Sequence, residues 1–243
     1  KMSHLHFTST DEYKNRVIQL GENPKNVFNV GGMGIESIKR LDLLNKNEFE
    51  QSIDFKLNKK NILVTFHPVT LENSTSHSQF SELLYAIDEL SETNIIFTKS
   101  NSDVDGRIIN QMIDEYVVKN PKKSVSFASL GQLRYLSALG QVDAIIGNSS
   151  SGLTEAPSFR IGTINIGDRQ KGRIKATSVI DCFPERESIK SAIQLLYSDK
   201  FQQQIETCHN PYGDGCASGY IIKVLKNIKL DNILKKEFFD ISP

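Results

Sequence analysis

Short apolar runs and helix-spaced patterns alternate along most of this 243-residue chain. Runs at 5–8, 27–30, 62–66, 95–97, 125–127, 144–146 and 163–166 predict strands. Between them, apolar positions recur at helical spacing over 11–20, 79–90, 104–119, 130–139 and 188–196. Strands separated by helices imply an α/β fold, a Rossmann-like parallel sheet with helices on both faces. The stretch 39–60 is charged and poorly patterned, and it reads as a bridge from an opening unit to the main sheet. Residues 230–243 predict a helix followed by a tail. No internal repeat or low-complexity tract interrupts the order.

In a parallel sheet, ligands sit beyond the carboxyl ends of the strands. The loops that follow strands therefore decide the chemistry, and the distinctive residues fall there. His67-Pro68 follows one strand, Asn101 and Asp103 another, Ser129 a third and Gly167-Asp168-Arg169 the last. After the strand at 144–146 comes GNSSSGLTEAP, residues 147–157, the most informative stretch of the chain. Its small residues let backbone approach a ligand closely, and Ser149, Ser150 and Ser151 with the opening of a helix form an anion seat. An ordinary polar turn capping a helix would look similar. Glu155 brings one carboxylate a turn later, suited to a sugar or ribose hydroxyl.

His67 is held extended by Pro68. Its imidazole can donate to a diphosphate oxygen or act as a general acid, or it is a plain loop histidine. Arg169 and Arg173, with Lys171 between them, offer guanidinium forks for diphosphate or carboxylate, or form a solvated basic loop. Asp103 or Asp105 can cap the helix that carries Arg107. Ser129 can offer backbone groups to a nucleobase. NPYGDG, residues 210–215, reads as a rigid packing joint, and His4 and His6 read as strand surface.

Composition narrows the classes. Lys and Arg total 29, as do Asp and Glu, and the zero net charge speaks against a nucleic-acid partner. No apolar run approaches the roughly 20 residues of a membrane span. Cys182, Cys208 and Cys216 are an odd set without metal spacing, pointing to a reducing, cytoplasmic setting and to no metal or other cofactor. Neither a P-loop nor a dinucleotide fingerprint occurs. The opening KMSHLHFTST has no signal-peptide pattern and reads as the interior of a longer protein.

HPVT, GNSSSGLTEAP, GDRQKGR and NPYGDG stand in the order found in UDP-N-acetylglucosamine 2-epimerases, and the chain resembles that family over nearly its whole length. It looks more like the hydrolysing branch, which makes N-acetylmannosamine and UDP for sialic acid synthesis. Relatives acting on UDP-diacetylbacillosamine in legionaminic acid pathways fit equally. The resemblance implies one half of a GT-B fold, with residues 1–30 an opening segment leading from a first domain. Residues 31–228 would be the nucleotide-binding domain and 229–243 a C-terminal helix and tail. It implies that His67 touches the diphosphate and assists departure of UDP, and that Ser149 and Ser150 hold phosphate oxygens. Glu155 would bind ribose, Arg169 would support the diphosphate, and Arg107 would lie near the nucleotide. The family's acid and base carboxylates for the sugar C2 proton belong to the first domain. The substrate expected is a UDP-sugar, and a homo-oligomer is expected through the full-length protein. A GT-B glycosyltransferase and a non-catalytic nucleotide-sugar sensor are the competing readings.

Overall fold

The computed structural model describes residues 2–69, 75–100, 104–229 and 235–241. Two compact units divide the chain: Leu43–His209, and Lys1–Asp42 with Asn210–Pro243. In chain order the smaller unit holds β1 (His6–Thr8), α1 (Asp11–Gln19), β2 (Val27–Asn29) and α2 (Met33–Arg40). The larger unit follows with α3 (Lys46–Ile53), β3 (Lys60–Thr65), α4 (Ser76–Asp88), β4 (Thr93–Thr98), α5 (Val104–Lys119) and β5 (Ser124–Phe127). It continues with α6 (Gly131–Leu139), β6 (Ala144–Gly147), α7 (Ser151–Thr154), β7 (Gly162–Ile166), β8 (Val179–Cys182), α8 (Arg186–Leu196) and α9 (Asp199–Glu206). Helix α10 (Ala217–Asn227) belongs to the smaller unit again.

The larger unit is the predicted Rossmann-like parallel sheet. Its strand order is β5-β4-β3-β6-β7-β8, and every neighbouring pair is parallel. Alternation within strands sets the two faces. Ile62, Val64, Ile95, Phe97, Ile146 and Ile164 share one buried core with Phe80, Leu83, Ile109 and Ile189 from α4, α5 and α8. Leu63, Ile96 and Ile145 are equally buried and point to the other face. Right-handed crossovers leave α6 and α7 on that second side. A sheet covered on both faces explains why its strands read as continuous apolar runs.

Three elements depart from the sequence pattern. Helix α3 forms inside the stretch read as a bridge, on only two well-buried apolar residues, Phe49 and Ile53, one turn apart. A capping box compensates: Asn45 accepts from the Glu48 amide, and Glu48 accepts from the Asn45 amide. Strand β8, an edge strand with only Ile180 well buried, carries too little apolar signal to be predicted. Helix α9 likewise rests on Phe201 and Ile205 alone. Residues 230–234, where the C-terminal helix is expected to start, lie outside the described ones, and residues 235–241 form no regular element.

In the smaller unit, β1 and β2 pair in parallel, with His6 opposite Val27. Two strands alone are marginal and need other support. NPYGDG supplies it as a packing joint: the Gly32 amide donates to the Tyr212 carbonyl at 2.6 Å. A Cβ on Gly31 would stand 3.1 Å from that oxygen. Glu36, buried on α2, accepts from the amide and the hydroxyl of Ser218 on α10 at 2.9 and 2.5 Å. Glu22, only 2% exposed, pairs with His6 at 2.9 Å and Lys236 at 2.7 Å. His6, read as strand surface, is therefore half of a buried pair. No helix among the described residues is long and apolar enough to cross a membrane.

Candidate active site at the switch point

Strands β3 and β6 lie side by side, and the chain leaves them in opposite directions, so their carboxyl ends bound the topological switch point of the sheet. The last residues in register there are Thr65 and Gly147. Gly147 has φ +142°, and a Cβ on it would stand 2.0 Å from the Thr65 carbonyl oxygen. Only glycine lets the two strands end this close together. On the other flank, the hydroxyls of Thr65 and Thr98 are 2.6 Å apart and join the ends of β3 and β4.

Asn148 is the hub of the site. It is 1% exposed. Its side-chain amide brackets one residue of the neighbouring loop: the His67 amide donates to Oδ1 at 2.7 Å, and Nδ2 donates to the His67 carbonyl at 2.7 Å. Its own carbonyl accepts from the Arg169 guanidinium at 2.9 Å and from Gln170 Nε2 at 2.8 Å. One buried residue thus ties together the loops after β3, β6 and β7. Asparagine suits the task because its amide is donor and acceptor at once, matching the two polar groups of a peptide. The motif pattern pointed to this loop, but not to Asn148 within it.

The serines flank this hub. Ser150 occupies the capping position of α7 with helical dihedrals and makes no side-chain cap bond, which removes the ordinary-cap reading for that hydroxyl. Ser149 Oγ accepts the Ser151 amide at a long 3.4 Å. Glu155 closes α7, half-buried, and accepts a hydrogen bond from the Thr154 hydroxyl. Arg169 is pulled below the usual arginine value by partial burial and, second, by the charge of Arg173. His67 Nδ1 lies 3.2 Å from the hydroxyl of Ser100 at the end of β4.

Two expected site residues stand apart from the hub. Ser129 follows β5, two strands away from β3, which places it about 10 Å along the sheet edge. Its hydroxyl accepts the Gly131 amide at 3.1 Å. Arg107 is exposed on α5 and borders a separate surface groove with Asn110 and Asp114. Asn101 and Asp103 lie outside the described residues. A cavity of about 500 Å³ opens at the ends of β7 and β8, lined by Val69, Asp168, Cys182 and Phe183 among others. Burial first, and Asp181 second, push the Cys182 thiol up to about 12.

Residues 1–226 match the family model described as UDP-N-acetylglucosamine 2-epimerase. The chain belongs to that family. It is 43% identical over 242 residues to the GDP/UDP-N,N'-diacetylbacillosamine 2-epimerase (hydrolyzing) of Campylobacter jejuni, covering 99% of this chain and 62% of that protein. It is 42% identical to the polysialic acid biosynthesis protein P7 of Escherichia coli, covering 99% of this chain and 61% of that protein. Among solved structures, it resembles the Neisseria meningitidis UDP-GlcNAc 2-epimerase bound to UDP-GlcNAc, at a TM-score of 0.76 and 18% identity. That match covers 93% of this chain and 62% of the other. The expected fold class, a Rossmann-like sheet of the GT-B type, is thereby shown. The chain spans about three fifths of the length of the curated relatives it matches.

Proposed function

We propose that this chain is the nucleotide-holding part of a hydrolysing UDP-sugar 2-epimerase whose substrate is UDP-N,N'-diacetylbacillosamine. The observation that carries the reading is the convergence on Asn148, which pins His67 and Arg169 to one point beside Ser149 and Ser150. An imidazole, a guanidinium and two hydroxyls carried on loops that meet at Asn148 suit a diphosphate, which is anionic and rich in acceptors. Ser129, about 10 Å along the sheet edge, is spaced for a nucleobase at the far end of the same nucleotide. Glu155, a turn beyond the serines, accepts the ribose hydroxyls.

The reaction divides between this chain and the rest of the protein. A base removes the C2 proton, the C1–O bond breaks, and UDP departs with the bonding electrons. Water then adds across the glycal, its hydroxyl to C1 and a proton to C2 on the face that inverts that centre. This chain's share is the departure: His67 donates a proton or hydrogen bond to the leaving diphosphate, and Arg169 balances its charge. The carboxylates that handle C2 lie in the part of the full-length protein outside this chain. The working unit is a cytoplasmic homo-oligomer that needs neither metal nor cofactor.

The diacetylbacillosamine substrate rests on the 43% identity to the Campylobacter enzyme. The nearly equal likeness to a polysialic acid biosynthesis protein favours UDP-N-acetylglucosamine as the second reading. Incubating the full-length protein with each UDP-sugar decides between them. Free 2-epimerised sugar and UDP in equal amounts, with a higher kcat/KM for the diacetylated substrate, is the expected result. A higher value for UDP-N-acetylglucosamine moves the assignment to the second reading. Transfer of the sugar to an acceptor, or tight binding of intact UDP-sugar without turnover, overturns both.

A further inference from the structure

The histidine that faces the proposed diphosphate seat is fixed twice, and the second fixing comes from residues to which no role has been attached. Asn148 holds the His67 backbone, but a backbone clamp does not choose the ring orientation. The χ2 torsion of histidine is broad and roughly two-fold, so a ring without its own partner samples both flips. The Ser100 hydroxyl, 3.2 Å from Nδ1, gives the ring such a partner. Ser100 is only 8% exposed and is itself held. Its amide donates to Asn110 Oδ1 at 2.8 Å, and Asn110 Nδ2 donates to its carbonyl at 3.1 Å. This is the same bidentate amide clamp that Asn148 places on His67. It also accounts for an asparagine in the interior of α5, where the residue is a poor helix former but can reach back to a neighbouring peptide.

We propose that Ser100, clamped by Asn110, is a positioning residue for His67: its hydroxyl engages Nδ1 and turns Nε2 toward the leaving diphosphate. The chain of support runs from α5 through the end of β4 to the loop after β3. It touches no substrate, and it rests on the functional reading above for the identity of what Nε2 meets. Ser100 sets how often the ring stands ready; His67 makes the contact.

Two measurements on Ser100→Ala test this. The first needs no substrate: ring ¹⁵N spectra of this chain, which has five histidines, with His67 assigned by His67→Gln. Ser100→Ala is expected to move the His67 ring resonances alone, and Ser100→Thr, which keeps the hydroxyl, to return them. The second is turnover by the full-length protein, where Ser100→Ala is expected to lower kcat about three- to tenfold, the worth of one neutral hydrogen bond, with KM within about twofold. A merely structural serine would lower the melting temperature and leave the ring spectrum in place. Unmoved His67 resonances in folded Ser100→Ala, or unchanged kcat, overturn the proposal. If the wild-type protein turns over neither UDP-sugar, the functional reading falls, and the ring spectrum decides the hold of Ser100 on His67 by itself.

Discussion

The two units of this chain are held by different kinds of bond. At the working end of the larger unit the ties are mostly neutral: the Asn148 amide on His67, the Asn110 amide on Ser100 and a hydroxyl pair between Thr65 and Thr98, with the Arg169 guanidinium on the Asn148 carbonyl as the charged one. These sit on a sheet whose apolar core is continuous on one face from Phe80 to Ile205. The smaller unit has a pair of three-residue strands and relies on charge: Glu22 with His6 and Lys236, Glu36 with Ser218 and Arg40. Each unit is therefore vulnerable to a different change of condition. A site tied by amides keeps its geometry across pH and salt, whereas a unit tied by buried carboxylates depends on their staying ionised.

The largest effect is expected in the larger unit, at its tightest backbone approach. Gly147→Ala adds a methyl where a carbonyl oxygen stands 2.0 Å away, at a φ that L-residues rarely adopt. It should cost at least about 3 kcal/mol, read as a lower urea midpoint for the larger unit. A midpoint within error of wild type would mean that β3 and β6 do not end as closely as described.

Asn148→Ala comes next. It leaves the amide and carbonyl of His67 without their partner, for about 2–3 kcal/mol, and releases the Arg169 and Gln170 loop only indirectly, since they bond the Asn148 main chain. A variant with normal stability and normal UDP affinity would remove Asn148 from the centre of the site.

The comparison is sharpened by acid. The Glu22 pKa is lowered from 4.5 to about 2, first by the Lys236 hydrogen bond and then by His6, against an opposing effect of burial. A depressed carboxylate contributes stability that is present above its unfolded pKa and lost as pH falls through the folded one. The smaller unit should therefore weaken from about pH 4.5 down to about 2, the interval between the two values. Glu22→Gln should flatten that slope while the larger unit's acid response stays as it was. Hydrogen exchange resolved by unit reads both, and an unchanged slope in Glu22→Gln would break the contrast.

Part of the candidate site is legible in the sequence because its loops carry distinctive residues after apolar strands. His67, Ser149, Ser150 and Arg169 declare themselves by type and position. Asn148, Ser100 and Asn110 do not. An asparagine or serine that clamps a peptide looks like any other polar residue until the fold brings a distant loop against it: Asn148 and His67 are 81 residues apart in sequence. The same limit hid β8, whose edge position leaves one face without an apolar requirement, and α3, whose capping box does what a longer apolar stripe would otherwise do. The parallel sheet itself was readable because burial on both faces forces unbroken apolar runs.

The loops tied by Asn148 are proposed to seat a nucleoside diphosphate. Calorimetric titration of UDP into this chain, beside His67→Ala, tests it most directly. Binding by the wild-type chain is expected, with a loss of about 1.5–3 kcal/mol, roughly ten- to a hundredfold in Kd, on removing the imidazole. Equal affinity of the two proteins for UDP would contradict it.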